Sequence, residues 1–375
     1  MRIGFDAKRA NSNNTGLGNY SRFVIDALAE YYPDNEYLLY MPKRKSNRDY
    51  EAFISRHPEL VERLPQGGMW RGLLSSIWRV WSIVGDLKRD RLDLFFGLSN
   101  EIPIGIGGRV RSIVTIHDLI FIRYPKLYKP IDRWIYRFKF RYACQHADAV
   151  IAVSERSKWD IVELFGIAPE KIEVIYQGCG EHFAVKHNTE ELEAVREKYS
   201  LPKRYILNVG TLEERKNLLL CIQSLEHLPE DIHLVACGRA TPYSHKAMEY
   251  AASKGLSERV HLVHGVNYFD LPLLYQRSEV FLYPSRYEGF GIPIIEALSS
   301  GVPVVAATGS CLEEAGGDAA RYVDPDDAVA LAREIAHFMD DPQHRNASIE
   351  RGYQHIKRFS KGAVAKEIHS LITKL

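Results

Sequence analysis

Cysteine is scarce in this 375-residue chain, with five residues at positions 144, 179, 221, 237 and 311, an odd number with no C-x-x-C pair. That spacing excludes a disulfide frame or a zinc ribbon and fits reduced thiols in a cytosolic protein. No stretch of about 18 uncharged apolar residues occurs, which argues against a membrane-spanning helix. Arg2 to Ala7 already reads as a strand with Asp6 inside it, so no signal peptide is expected. Charge of one sign is also lacking: 49 basic against 48 acidic residues leave a formal +1, so any attraction to a polyanion must come from a local patch. A complete G-x-G-x-x-G is missing, which weakens a dinucleotide-dependent dehydrogenase. What remains is a globular composition, 46% hydrophobic and 26% charged, in a chain too long for one ordinary core.

The most informative stretch runs from Phe281 to Ala306, FLYPSRYEGFGIPIIEALSSGVPVVA. Val280 to Tyr283 reads as a buried strand ended by Pro284 and Ser285, Ile292 to Ser300 as a helix, and Val302 to Ala306 as a second strand. In the intervening loop Gly289 and Gly291 allow close approach of a ligand to the backbone, and Pro293 suits a first helical turn. The free amides of that helix start would accept an anion such as a phosphate. Glu288 and Glu296 would be repelled by a phosphate unless they serve neutral hydroxyls, of a sugar or of a ribose.

The string E-G-F-G-I-P-I-I-E-A at Glu288 to Ala297 resembles the E-x7-E signature of family 4 retaining glycosyltransferases. The resemblance implies an α/β fold of two Rossmann-like domains facing across a cleft, the GT-B type, with a C-terminal helix crossing back to the first domain. Domains are then expected at 1–180, joined by the last helix at about 358–375, and at 190–357, the first on the acceptor side and the second binding a nucleotide sugar. An echo between ADAVIAVSERS (147–157) and RSEVFLYPSRY (277–287) agrees with two related halves, and the polar run from Gly178 to Glu190 reads as the linker.

The same order of motifs continues along the chain. A turn carrying Gly16 and Gly18 follows the first strand, a helix runs from about Asn19 to Tyr31, and another from Glu51 to Leu64. His117 and Asp118 end the strand candidate at 112–119, where open α/β sheets bind ligands, and the family's H-D pair lines the sugar site. Val-Gly-Thr at 209–211 precedes Arg215 and Lys216, which resemble the family's diphosphate-binding turn, although Thr211 replaces the commoner arginine. Gly210, Thr211, Gly238 and Val266, at further strand ends, complete the expected donor site with Gly289, Phe290, Gly291, Ile292 and Glu296. Asp324 and Asp326 spell D-x-D, which we read as turn and N-cap residues, so no metal and no cofactor are expected.

Two segments suggest surfaces. Apolar residues at 70, 73, 74, 77, 78, 81 and 84 form a helical stripe beside Arg71, Arg79, Lys88 and Arg89. From Ile122 to Tyr142 seven bases interleave with Tyr124, Tyr128, Trp134, Tyr136, Phe138 and Phe140. Both could cover the sheet, meet an anionic acceptor or lie on a membrane; the second could also hold single-stranded nucleic acid but carries no nucleic-acid motif.

The expected activity is metal-independent, retaining transfer of a hexose, mannose from GDP-mannose by resemblance, to a glycan or lipid-linked hydroxyl. His117, Arg215, Lys216 and Glu288 would be catalytic, and UDP- or ADP-sugars stay open as donors. A phosphorylase, an epimerase or a disabled sugar-nucleotide-binding protein are the alternatives. The chain is expected to be cytoplasmic, with peripheral contact to the inner membrane face.

Overall fold

Side-chain alternation organises the first sheet. Its strands are β1 (Arg2–Asp6), β2 (Glu36–Tyr40), β3 (Val61–Arg63), β4 (Leu94–Gly97), β5 (Arg111–Ile116), β6 (Ala149–Ala152) and β7 (Ile172–Val174), all parallel in the order β3-β2-β1-β4-β5-β6-β7. Leu39, Phe96, Ile113 and Ile151 enter one apolar core, while their neighbours Leu38, Phe95, Val114 and Val150 enter another on the opposite face. Both faces are covered, as a parallel sheet requires. A computed structural model describes residues 1–66 and 74–375.

The second sheet contains β8 (Tyr205–Val209), β9 (His233–Cys237), β10 (Val260–Val263), β11 (Phe281–Tyr283), β12 (Val304–Ala307) and β13 (Arg321–Val323) in the parallel order β10-β9-β8-β11-β12-β13. The chain divides into two compact units, residues 1–178 with 359–375, and residues 179–358. The last helix, Lys361–Lys374, contributes Val364, Ile368 and Ile372 to the first unit's core. Lys361 at its start, buried, bridges Asp26 and Glu30 of the helix Gly16–Tyr31 at 2.8 Å each.

Several local expectations change. The helix expected over 51–64 is confined to Arg48–Arg56, because Pro58 cannot continue it, and Val61–Arg63 joins the sheet as an edge strand. The expected linker contains a short 3-10 turn, Glu181–Ala184, whose Phe183 is fully buried against Tyr275. Of the stripe at 70–84, positions 70, 71 and 73 lie outside the described residues. The rest is helical from Ser75 to Arg89 with a π turn at Trp78–Ser82. Arg79 is not on a charged flank but buried, gripping Asp6 through Nε at 3.1 Å and Glu101 through Nη1 at 2.7 Å.

Gly16 and Gly18 sit in the first turn of a helix and not in an open loop. A Cβ on Gly18 would lie 1.8 Å from the Asn13 carbonyl oxygen, whereas one on Gly16 meets nothing within 4 Å. We therefore expect Gly18→Ala to cost about 1–3 kcal/mol of stability as the backbone is forced apart. Gly16→Ala should stay within about 0.5 kcal/mol. Urea melts of the two variants separate them, and equal effects would contradict the close approach at Asn13.

Candidate active site

In the second unit the ends of β8, β9 and β11 converge on one turn. Gly210 follows β8 with φ +144°, a conformation that glycine tolerates best. A Cβ on Gly238 would fall 1.7 Å from the Gly210 carbonyl oxygen, so two glycines let the ends of β8 and β9 close together. The 3-10 turn Glu214–Lys216 follows, closed by Asn217 in the left-handed region at φ 59°. Asn217 Nδ2 donates to the carbonyls of Pro284 (3.3 Å) and Pro325 (2.7 Å), and Arg286 N donates to the Arg215 carbonyl at 2.9 Å. These bonds fasten the turn to the loop after β11.

That junction brings Arg215, Lys216 and Glu288 into one cluster. Glu288 Oε2 lies 2.8 Å from Arg215 Nη1, and Oε1 lies 2.7 Å from Lys216 Nζ. Oε1 also accepts from Ser285 Oγ at 2.7 Å and from the Tyr283 hydroxyl at 3.1 Å. Arg215 further donates to the Tyr287 carbonyl and, at 2.6 Å, to Glu213. Burial alone would raise the Glu288 carboxyl, but Lys216 and Arg215 outweigh it and hold it at about 2. Burial likewise opposes the Arg215 charge, and Glu288 with Glu213 overcomes it, raising the guanidinium above its ordinary value. The task suggested for Glu288 is hydrogen bonding to hydroxyls; its oxygens meet the hydroxyls of Tyr283 and Ser285 as well as the two cations of its own chain.

Glu296 occupies a different environment. It is buried in the helix Ile292–Ser299 and accepts a hydrogen bond from the Tyr275 hydroxyl at 3.1 Å. Burial pushes it up to about 7, the Tyr275 bond pulling the other way. The loop between the two glutamates is tight: a Cβ on Gly291 would be 2.8 Å from that of Ala315, and Cys311 Sγ donates to the carbonyls of Glu288 (3.2 Å) and Phe290 (3.4 Å). Ile292 and Pro293 open the helix, but its first turn offers fewer free amides than expected: Pro293 has none, and those of Ile294 and Ile295 donate to the Gly291 carbonyl at 2.9 and 3.3 Å. Thr211 and Val266 are half-buried, at the turns after β8 and β10.

His117 belongs to the first unit and is buried after β5. Its Nε2 donates to the Leu98 carbonyl at 2.9 Å, and Nδ1 is 3.3 Å from the Gln177 amide nitrogen, which fixes the tautomer. Burial lowers its pKa to about 4, against the Leu98 bond, so the ring is neutral near pH 7. Asp118 caps the next turn by accepting from Ile120 N at 3.0 Å. Gly16 and Gly18 are in this unit too.

Tyr275, Tyr283, Ser285 and Cys311 were not singled out from the sequence. Tyr283 and Ser285 stand two apart at the end of a strand, a spacing that puts both on one side, and this signal was readable. Tyr275 and Cys311 are brought in from other elements and leave no local mark. For the D-x-D, Asp324 Oδ1 accepts from Asp326 N at 2.8 Å as a turn, while the helix N-cap is Asp327, one residue beyond the expected one. No group of three or more His, Cys, Asp or Glu suited to a metal occurs among the described residues.

Comparison with known proteins follows the two units. Residues 16–179 match the family model Glycosyltransferase Family 4, and residues 191–355 match Glycosyl transferases group 1. The chain is 28% identical to O-antigen chain mannosyltransferase B of Escherichia coli, over 96% of both. It is 29% identical to O-antigen chain mannosyltransferase RfbU of Salmonella typhimurium, over 94% of both. Among solved structures, Anabaena Alr3699/HepE in complex with UDP-glucose superposes over 100% of both chains with a TM-score of 0.77 at 19% identity. With two parallel sheets, a family model on each half and mannosyltransferases among its full-length relatives, the chain belongs to the family 4 (group 1) glycosyltransferases and has their GT-B fold.

Proposed function

We propose that the protein transfers mannose from GDP-mannose to a glycan or lipid-linked hydroxyl with retention of configuration and without a metal. The Arg215–Lys216–Glu288 cluster carries this reading, being a pair of cations held at the carboxyl ends of parallel strands, where a diphosphate is recognised in open α/β sheets. Mannose is favoured by the relatives, which are named as mannosyltransferases and align over nearly the whole chain. Peripheral contact with the inner membrane face is part of the same reading, since a lipid-linked acceptor is met at a bilayer.

The chemistry follows from charge. The bond from the sugar's anomeric carbon to the β-phosphate oxygen breaks, its electron pair going to phosphate. The acceptor oxygen bonds the same face, and its proton passes to the departing phosphate. Arg215 and Lys216 stabilise the growing negative charge, aided by the positive end of the helix Ile292–Ser299. Glu288 is a positioning residue that holds both cations in register before the donor arrives. Since its oxygens are engaged and Glu296 lies against Tyr275, neither carboxylate is offered as a covalent nucleophile. Glu296 serves the ribose hydroxyls.

Lys216→Ala and Arg215→Ala should each lower kcat by about two orders of magnitude, non-additively. Glu288→Gln should leave GDP affinity intact or tighter, because it frees two cations, while transfer falls. Steady-state kinetics with calorimetric titration test this, and unchanged turnover in both alanine variants would refute the diphosphate assignment.

Ribose binding needs the Glu296 carboxylate ionised, and its free value of about 7 sets the pH window. Affinity for GDP-mannose should therefore weaken as pH falls through 7, up to roughly tenfold between pH 8 and 6. Glu296→Gln should remove that dependence and raise the dissociation constant about ten- to hundredfold at pH 8, the loss of a charge-assisted bond. A pH series in which wild type and variant run parallel would assign the step to another group.

Transfer should also survive EDTA, because two cations and a helix start supply the charge a metal would. Loss of activity restored by magnesium or manganese would return Asp324 and Asp326 to consideration. Thermal-shift measurement with GDP, UDP and ADP distinguishes the donor bases, the bound nucleotide raising the melting temperature.

A further inference from the structure

In the first unit the helix Pro130–His146 turns a row of large apolar side chains outward: Ile131 is 61% exposed, Trp134 68% and Phe138 53%. Trp134 and Phe138 stack with centroids 6.4 Å apart and planes within 15°, so the row is an ordered surface. On the neighbouring helical segment Trp81 is 55% exposed. Trp81, Trp134 and Phe138 line the mouth of one cavity of about 210 Å³, whose walls include Ile104, Ile135 and Tyr142. Apolar surface of this extent on one face marks an interaction site.

The charges beside it are of one sign. Between Ile122 and His146 there are seven Lys or Arg residues and a single acid, Asp132. Arg123 is paired with Asp160 and Glu163, and Lys139 with Glu101. Lys126, Lys129, Arg133, Arg137 and Arg141 form no ion pair among the described residues, in a chain whose formal charge is only +1. Inside the cavity the charge is matched: Arg79 lies there between Asp6 and Glu101. The helix thus carries unpaired cations beside its outward apolar row.

We propose that this face docks on an anionic lipid bilayer, with Trp81, Trp134 and Phe138 at headgroup depth, the groove taking acyl chain and the five bases meeting lipid phosphates. Aromatic rings flanked by Lys and Arg are the composition of an interfacial helix lying in the plane of a membrane. Single-stranded RNA would use the same bases but leaves the apolar groove unexplained. The proposal extends the membrane-contact reading above and rests on it only for its biological purpose, since vesicle binding requires neither donor nor transfer.

Co-sedimentation of the full chain with phosphatidylcholine vesicles, with and without phosphatidylglycerol, tests it. We expect binding at least about tenfold tighter to the anionic vesicles, weakened by salt, with a blue shift of tryptophan emission. The variants Trp134→Ser/Phe138→Ser and Arg137→Glu/Arg141→Glu should each lose about tenfold or more in vesicle affinity, while keeping the wild-type melting temperature and transfer to a soluble acceptor. Failure of the wild-type chain to bind anionic vesicles would overturn the proposal whatever the variants do. So would equal binding to neutral vesicles, unchanged binding in both variants, or binding of single-stranded RNA with vesicles ignored. Loss of transfer with intact vesicle binding would instead count against the enzymatic reading alone.

Discussion

One buried carboxylate between a buried arginine and a half-buried lysine sets the design of the second unit. Glu288 holds Arg215 and Lys216 at 2.8 and 2.7 Å, and the three are brought together from two strand ends. Removing the Arg215 and Glu288 charges from water is costly unless they are matched in place. The match here is dense, because Tyr283 and Ser285 supply hydroxyls to the same carboxylate. Close packing of Gly238 against Gly210, the left-handed Asn217 and the bond from Arg286 N to the Arg215 carbonyl all place these groups in register. Glu288 thus presets the field in which both cations stand.

The two glutamates of the motif illustrate how environment separates identical groups. Glu288, next to cations, is held at about 2, and Glu296, one helix turn and more away beside Tyr275, is pushed to about 7. Both are buried, so burial does not distinguish them; their neighbours do. One stays ionised between two cations, and the other keeps its proton up to near neutrality.

Much of this was legible in the sequence where the signal was local. Apolar runs bounded by glycine, proline and serine located the parallel strands, and the spacing of Glu288, Gly289, Gly291, Pro293 and Glu296 located the loop and helix start. The string R-K-N marked the cationic turn, whose asparagine proves to be the left-handed residue closing it. What was not legible depends on distance in the chain. Phe183 is buried in a segment that reads as polar, because its partner Tyr275 is over ninety positions away. Arg79 reads as an exposed base because Asp6 and Glu101 are absent from its neighbourhood in sequence. The engagement of Glu288 by Arg215 and Lys216 joins residues over seventy positions apart and leaves no local mark.

The return of the last helix to the first unit has a bearing on synthesis. Residues 359–375 supply Val364, Ile368 and Ile372 to a core otherwise built from residues 1–178, and Lys361 neutralises Asp26 there. Residues 179–358 form an uninterrupted unit. As ribosomes add about 5–20 residues per second, the first unit waits on the order of ten seconds or more for its final piece while the second is being made. The usual vectorial order is thus inverted: the later unit can complete its core first, and the earlier one exposes the helix Gly16–Tyr31 to chaperones until its closing segment emerges.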